Sequence, residues 1–236
     1  MKYMGSKNRI AKEILPIMLK YRKPGQWWVE PFVGGGNMID KVSGNRIGCD
    51  IDKDAINALK VIAYRTDLLP KNNKEFTKED YYKIKKQPNH PLHGYVAFAL
   101  SYGGKKWGGW RKDNEGKRDY VAEAYRSALR QSKKLQGILF FVCSYNKIPF
   151  LPKNSIIYCD PPYKNTTKYR NKFDHEKFWK WCEEKYKEGH YVFVSEYSAP
   201  KGWKAIWQKE IVTSLTQDTG AKKGIEKLFV PESFKC

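Results

Sequence analysis

The sequence is poor in the residues that build metal centres and cross-links. Four histidines and five cysteines occur in 236 residues, and none of the cysteines falls in a CxxC spacing or a Cys/His cluster. Cys49, Cys143, Cys159, Cys182 and Cys236 are scattered along the chain. That pattern excludes a zinc ribbon and a disulfide framework, and it fits a reduced intracellular protein. His90 and His93 lie either side of Pro91, which argues against a metal-binding helix pair and for loop histidines. No metal is therefore expected. No apolar run is long enough to span a bilayer, and no signal-peptide pattern is read at the amino terminus. Internal repeats and low-complexity tracts are missing too. Acidic residues are few relative to basic ones: 25 Asp and Glu stand against 45 Lys and Arg, a formal net charge of +20. A surplus of that size implies a polyanionic partner. The length is enough to bury the core of one α/β domain with an insert.

Against that background Asp160-Pro161-Pro162-Tyr163 stands out. It follows the apolar run Ile156-Ile157-Tyr158-Cys159, which reads as a short buried strand. Two prolines cannot continue a sheet, so the strand must end there and leave a stiff loop at its carboxyl end. Ligands of open α/β sheets bind at that edge. The loop supplies a carboxylate, prolyl carbonyls without competing N–H groups, and an aromatic face. Those groups suit an exocyclic amino group on a flat ring. The plainer reading is a rigid turn with a capping aspartate.

A second strand-like run, Trp27-Trp28-Val29-Glu30, leads through Pro31-Phe32-Val33 into Gly34-Gly35-Gly36-Asn37. It is neither GxGxxG nor a P-loop. Its glycines permit a sharp turn and close approach of a ligand, and Met38–Val42 is expected to follow as a helix. Next, Arg46-Ile47-Gly48-Cys49-Asp50-Ile51-Asp52 forms a short strand ending in acids. An acid at that strand end is placed to bind ribose hydroxyls. Asp50 fits that role better, and Asp52 fits capping of a helix that starts at Lys53.

Taken together, Tyr3-Met4-Gly5-Ser6-Lys7, Glu30 to Gly36, Cys49-Asp50-Ile51-Asp52 and Asp160-Pro161-Pro162-Tyr163 resemble the Dam-like, D12-class (alpha group) DNA adenine-N6 methyltransferases in content and order. The resemblance runs from Tyr3 to about Phe229, where Gly224-Ile225-Glu226-Lys227-Leu228-Phe229 looks like the final strand region of the family. It implies a Rossmann-like α/β sheet with an inserted, mainly helical DNA-recognition subdomain. It also implies S-adenosylmethionine as methyl donor, with S-adenosylhomocysteine as product, and base flipping of adenine from double-stranded DNA. By resemblance, Tyr3 holds an aromatic position, usually Trp, near the cofactor, and Lys7 contacts the cofactor region. Lone lysines are more often simply solvated. Gly34, Gly35 and Gly36 would pass under the methionine moiety, Asp50 would take the ribose, and Asp160 would border the cofactor. Asp160 and the Pro161 carbonyl would hold the target amino group, and Tyr163 would stack on the adenine. A cytosine-N4 or RNA enzyme, or a non-catalytic DNA-binding protein of the same fold, remain alternatives. The recognised site is undetermined beyond the family-level guess GATC, as is any partner nuclease of a restriction-modification pair. A monomer in the cytoplasm of a bacterial or phage-infected cell is expected.

Hydrophobic periodicity sketches the rest. Helices are read at Asn8–Lys20 (kinked at Pro16), Lys53–Tyr64, Val96–Leu100, Tyr120–Lys134 and His175–Glu188. Strands are read at Trp27–Glu30, Ile47–Asp50, Ile138–Cys143, Ile156–Cys159 and Tyr191–Ser195, with the last two near Ile211–Leu215 and Lys227–Val230. Charge and proline rise between Leu69 and Leu92. The catalytic domain is therefore expected to be discontinuous, 1–67 and 137–236, around a target-recognition insert at 68–136. Within the insert, Tyr102 to Lys112 interleaves cations with aromatics in a loop or hairpin. Lys105, Lys106 and Lys112 are expected at phosphates, Trp110 at an unstacked base and Arg111 at a guanine edge. Ser144-Tyr145-Asn146 is a weaker candidate for the pocket wall.

Overall fold

The computed structural model describes residues 1–113, 115–163, 173–213 and 222–235. Seven strands form one sheet: β1 (Trp28–Glu30), β2 (Arg46–Asp50), β3 (Leu139–Val142), β4 (Ile156–Cys159), β5 (Tyr191–Glu196), β6 (Trp203–Thr213) and β7 (Lys222–Pro231). Their order is β3-β2-β1-β4-β5-β7-β6. The first five are mutually parallel, whereas β7 runs antiparallel to both β5 and β6. The order reverses between β1 and β4, which pair through Trp28–Ile156 and Val29–Ile157. In an open α/β sheet such a reversal opens a crevice at the carboxyl ends of the strands.

Period-2 alternation sends each strand into two cores. Trp28, Ile156, Tyr158, Phe193, Leu228 and Val230 share one cluster with helices α1 (Ala11–Leu19), α2 (Lys53–Tyr64), α3 (Lys78–Lys85), α4 (His93–Ala99) and α5 (Tyr120–Leu135). Val29, Ile47, Ile157, Cys159, Val192, Val194 and Phe229 face α6 (His175–Lys187) through Phe178, Trp181 and Cys182. Layers on both faces explain why β4 reads as an unbroken apolar run.

The helices start where local chemistry directs. The side chains of Asp52, Asp119 and Asp174 accept from the backbone N–H groups of Asp54, Ala122 and Lys177, capping α2, α5 and α6. In α5 the residues Val121, Ala124, Ala128, Gln131 and Leu135 are buried, one stripe at helical spacing. Helix α1 continues through Pro16 to Leu19.

Several details depart from the sequence reading. Met38–Val42 forms only a 3-10 turn, Ile39–Lys41, because Val42 is already extended. The charge-rich stretch before Leu92 contains α3, opened by a Thr77–Asp80 capping box. His93 is no loop histidine: it opens α4 and is buried. β6 begins at Trp203, well before Ile211, and forms a long ribbon with β7. Lys204, Lys209 and Glu210 on β6 hide its periodicity. Leu215, where that strand was expected to end, and Cys236 lie outside the described residues. The segment 68–136 packs α4 and α5 on α2 and shares the core of the sheet.

Candidate functional site

Three acids mark the carboxyl edge: Glu30 closes β1, Asp50 closes β2 and Asp160 follows β4. They differ in environment. Glu30 is buried, accepts the Trp28 indole N–H at 2.8 Å, and has its pKa driven well above the usual carboxyl range by burial. It is a structural acid inside the core. Asp50 is half-buried, and its two oxygens tie two turns together, accepting the N–H of Gly34 at 2.9 Å and of Asp52 at 2.9 Å. Burial pushes its carboxyl up to about 6, opposed by those two backbone donors. Beside it Ile51 is 73% exposed.

The glycine turn is built against protein atoms. Gly34 and Gly36 have φ of 47° and 67°, the left-handed region. A Cβ at Gly35 would stand 2.5 Å from Cβ of Tyr3, and one at Gly34 would stand 2.8 Å from its ring. A close approach to these glycines is thus made by Tyr3, whose ring also lies 5.0 Å from that of Phe98. Gln131 of α5 donates to the carbonyls of Gly35 at 3.1 Å and Gly36 at 3.3 Å, which anchors the insert on the turn. Arg46 donates to the carbonyls of Lys134 and Gln136, both at 2.7 Å, closing the carboxyl end of α5.

Around Asp160 the chain assembles a compact polar cluster. The Lys7 ammonium lies 2.8 Å from Asp160 and 3.8 Å from Glu226, and 4.4 Å above the centre of the Tyr163 ring. The Tyr163 hydroxyl donates to Glu226, and the ring meets Tyr197 edge-on at 4.7 Å. Burial disfavours charge on Lys7, yet Asp160 and Glu226 outweigh it and raise its pKa. Burial raises both carboxyls, with Lys7 as the main opposing charge. Pro161 is buried and fixes the loop. Tyr145 packs among Phe32, Phe173, Phe178 and Trp181, so this aromatic belongs to the core rather than to a pocket wall.

The sequence reading missed Glu226. Its signal was present: Glu226, Leu228 and Val230 alternate along β7, all buried, so an acid occupies an inward position of a strand. Glu30 and Asp54 were missed in the same way, being charges at buried positions.

The basic insert is sorted by the structure. Lys106 does not stand free: its ammonium reaches Asp52 at 2.7 Å and Asp54 at 2.8 Å, and Asp54 also takes His93 at 3.1 Å. Arg111 pairs with Glu123 at 3.1 Å and lies 3.8 Å above the Tyr120 ring. Trp110 is half-buried, stacked on Phe76 at 6.1 Å, and Trp107 packs on His93 and Tyr81. Lys105 and Lys112 are exposed, and Tyr102 is 71% exposed. Alongside α5 a hollow of about 400 Å³ is lined by Lys2, Arg111, Arg126 and Arg130. Gly104 presses this loop onto the amino-terminal segment. It has φ +70°, and a Cβ there would stand 2.7 Å from the Tyr3 backbone nitrogen.

A doubly wound sheet with acids at three strand ends around its switch point is the α/β architecture whose ligands bind at that edge. The family model of D12 class N6 adenine-specific DNA methyltransferases matches residues 3–217, and the chain belongs to that family. It is 28% identical over 186 residues to the DNA adenine methylase of Salmonella typhi, covering 69% of this chain and 64% of that protein. To the DNA adenine methylase of Haemophilus influenzae it is 27% identical over 182 residues, covering 69% and 63%. The matched region thus spans somewhat less than two thirds of these relatives. A crystal structure of SMU.472 complexed with SAH covers 97% of this chain and 54% of that one, at a TM-score of 0.37 and 12% identity. Among the described residues no helix is long and apolar enough to cross a membrane.

Proposed function

We propose that the protein transfers a methyl group from S-adenosylmethionine to the N6 amino group of adenine in double-stranded DNA. The observation that carries this reading is the pairing of Asp160 with Lys7 and, through that ammonium, with Glu226 at the end of β4, across the switch point from the glycine turn and Asp50. The residues fit the cofactor. Asp50 offers a carboxylate to ribose hydroxyls, exposed Ile51 offers an apolar surface to a flat base, and the acids at this edge suit a cationic ligand. Bound there, S-adenosylmethionine supplies an electrophilic methyl group.

The remaining chemistry belongs to the chain. The lone pair of an adenine amino nitrogen is delocalised into the ring. Acceptors on its two hydrogens favour a pyramidal nitrogen and free that pair. The Asp160 carboxylate and the Pro161 carbonyl are the acceptors, held by the proline loop. As the nitrogen takes the methyl carbon and the methyl–sulfur bonding pair stays with the sulfur, the nitrogen becomes cationic until it sheds one of its protons to solvent, and a preset carboxylate stabilises that charge without reorganisation. Tyr163, fixed through its hydroxyl and by Lys7 over its ring, serves as the stacking platform. The base must leave the duplex, since its amino group is otherwise paired and stacked.

Catalysis is assigned to residues 1–67 and 137–236, and recognition to 68–136. Lys105 and Lys112, with Lys2, Arg126 and Arg130 around the α5 hollow, are the phosphate contacts this reading favours. Lys106 and Arg111 act mainly within the fold, and Tyr102 is the aromatic best exposed to meet an unstacked base. The test is incubation with duplex DNA and S-adenosylmethionine, followed by nucleoside mass spectrometry. N6-methyladenine is the expected product. N4-methylcytosine, methylated RNA alone, or no product with intact cofactor binding would each refute the reading.

A further inference from the structure

We propose that Glu226 is a positioning residue for methyl transfer: it shares the Lys7 ammonium and the Tyr163 hydroxyl with Asp160, so that neither donor is committed to Asp160 alone and the cluster keeps a net negative charge beside the amino group that becomes cationic. The inference rests on the methyltransferase reading above and adds to it a residue from the far end of the chain.

Three observations converge on Glu226. It is only 4% exposed, although it carries a carboxylate, so its partners decide whether that burial is tolerable. Those partners are both members of the site, Lys7 at 3.8 Å and the Tyr163 hydroxyl. Its place on β7, next to the Glu196–Lys227 pair of β5 and β7, brings it to the carboxyl edge of the sheet. The cluster around it comprises Lys7 from the amino-terminal segment, Asp160 and Tyr163 from the proline loop, Tyr158 from β4 and Tyr197 after β5.

Counting donors and acceptors gives the role. One ammonium serves two carboxylates, so the set Lys7, Asp160 and Glu226 carries a net negative charge when all three are ionised. Without Glu226, Lys7 would neutralise Asp160 alone. The Tyr163 hydroxyl, already hydrogen-bonded to Asp160 as well as to Glu226, would be left with Asp160 alone. Both internal donors would then be committed wholly to Asp160 and would compete more strongly with the adenine amino hydrogens for a carboxylate with about four acceptor sites. The Tyr163 ring would lose one of its anchors as well. Glu226 therefore acts through Asp160 and Tyr163 and need not touch the substrate.

The test compares wild type, Glu226→Gln and Glu226→Asp in single-turnover methyl transfer on a duplex that the wild type methylates. S-adenosylhomocysteine affinity, duplex affinity and melting are measured alongside. Glutamine keeps an acceptor for Tyr163 but removes the charge, whereas aspartate keeps the charge on a shorter stem. The rate should fall about tenfold to a hundredfold in Glu226→Gln, the scale of a misplaced catalytic group. Affinities should stay within about twofold, the acid limb of the pH–rate profile should move, and Glu226→Asp should recover part of the rate. Equal rates in all three proteins would overturn the inference. So would a rate loss matched by an equal loss of S-adenosylhomocysteine affinity, which would make Glu226 a cofactor-site support. If Glu226→Gln does not fold, Glu226→Asp decides alone: a wild-type rate overturns the proposal, and a slower rate with unchanged affinities supports it. An inactive wild type would instead refute the methyltransferase reading itself.

Discussion

Replacing Asp50 with alanine removes a carboxylate that does two jobs at once. Its oxygens accept the N–H groups of Gly34 and Asp52, each at 2.9 Å, and so hold the glycine turn and the start of α2 in one arrangement. In the proposed complex the same group accepts from the ribose. A hydrogen bond to a charged group is worth about 1.5–3 kcal/mol, so losing the ribose contact should weaken cofactor binding by roughly tenfold to a hundredfold. The orphaned Asp52 N–H is half-exposed and regains water, whereas Gly34 is buried, so the structural cost should be about 1–3 kcal/mol. For a chain of this size that lowers the melting temperature by roughly 2–10 °C. Asp50→Asn should fare little better, because its amide NH2 must face one of two backbone donors. Asp52 serves as a contrast. It caps α2 and pairs with Lys106, so Asp52→Ala should cost about 1 kcal/mol of stability and leave cofactor affinity nearly intact. Titration calorimetry with S-adenosylhomocysteine, together with thermal melts of the three variants, checks this. Unchanged affinity in Asp50→Ala alongside a loss in Asp52→Ala would show that the wrong aspartate holds the ribose.

Other expectations follow from the same geometry. Asp160→Ala should slow methyl transfer by about 3 kcal/mol or more in barrier while the chain still folds, because Lys7 retains Glu226 as counter-ion; near-normal single-turnover rates would contradict the catalytic assignment. Neutralising Lys105 and Lys112 together should flatten the dependence of log DNA affinity on log salt by up to about two units, whereas Lys106→Ala should leave the slope nearly unchanged. Binding isotherms at several salt concentrations decide between them. Asp50 also sets a pH dependence. Its carboxyl is raised from 3.8 to about 6 by burial, so the folded chain holds a proton there that the unfolded chain has released. Its contribution to stability is therefore greatest below about pH 4, declines as pH rises to about 6, and is level above. Cofactor affinity should run the opposite way, falling as pH drops from 7 towards 5, and calorimetry across that range tests it. Gly104→Ala should destabilise by about 1–3 kcal/mol in melting experiments, since φ is +70° and a Cβ would meet the Tyr3 backbone.

What the sequence determined by itself was local. Two prolines after Ile156–Cys159 had to end a strand, and Asp52 before an amphipathic run had to cap a helix, whatever surrounds them. The acids at two strand ends and the glycine turn were legible for the same reason. Order along the chain placed them at the carboxyl edge once the sheet was assumed parallel. Tertiary structure decided who pairs with whom. Lys106 looked like a phosphate contact because neighbouring residues say nothing of Asp52 and Asp54, which α2 brings to it from 54 residues away in the case of Asp52. Trp110 looked like a stacking residue until Phe76 and Tyr81 closed over it. Glu226 lies 63 residues from Tyr163, and only the insertion of β7 between β5 and β6 carries it to the proline loop. Periodicity and turn chemistry act over a few residues. The partner of a charge depends on strand order and on which buried groups must neutralise one another, and both are properties of the assembled fold.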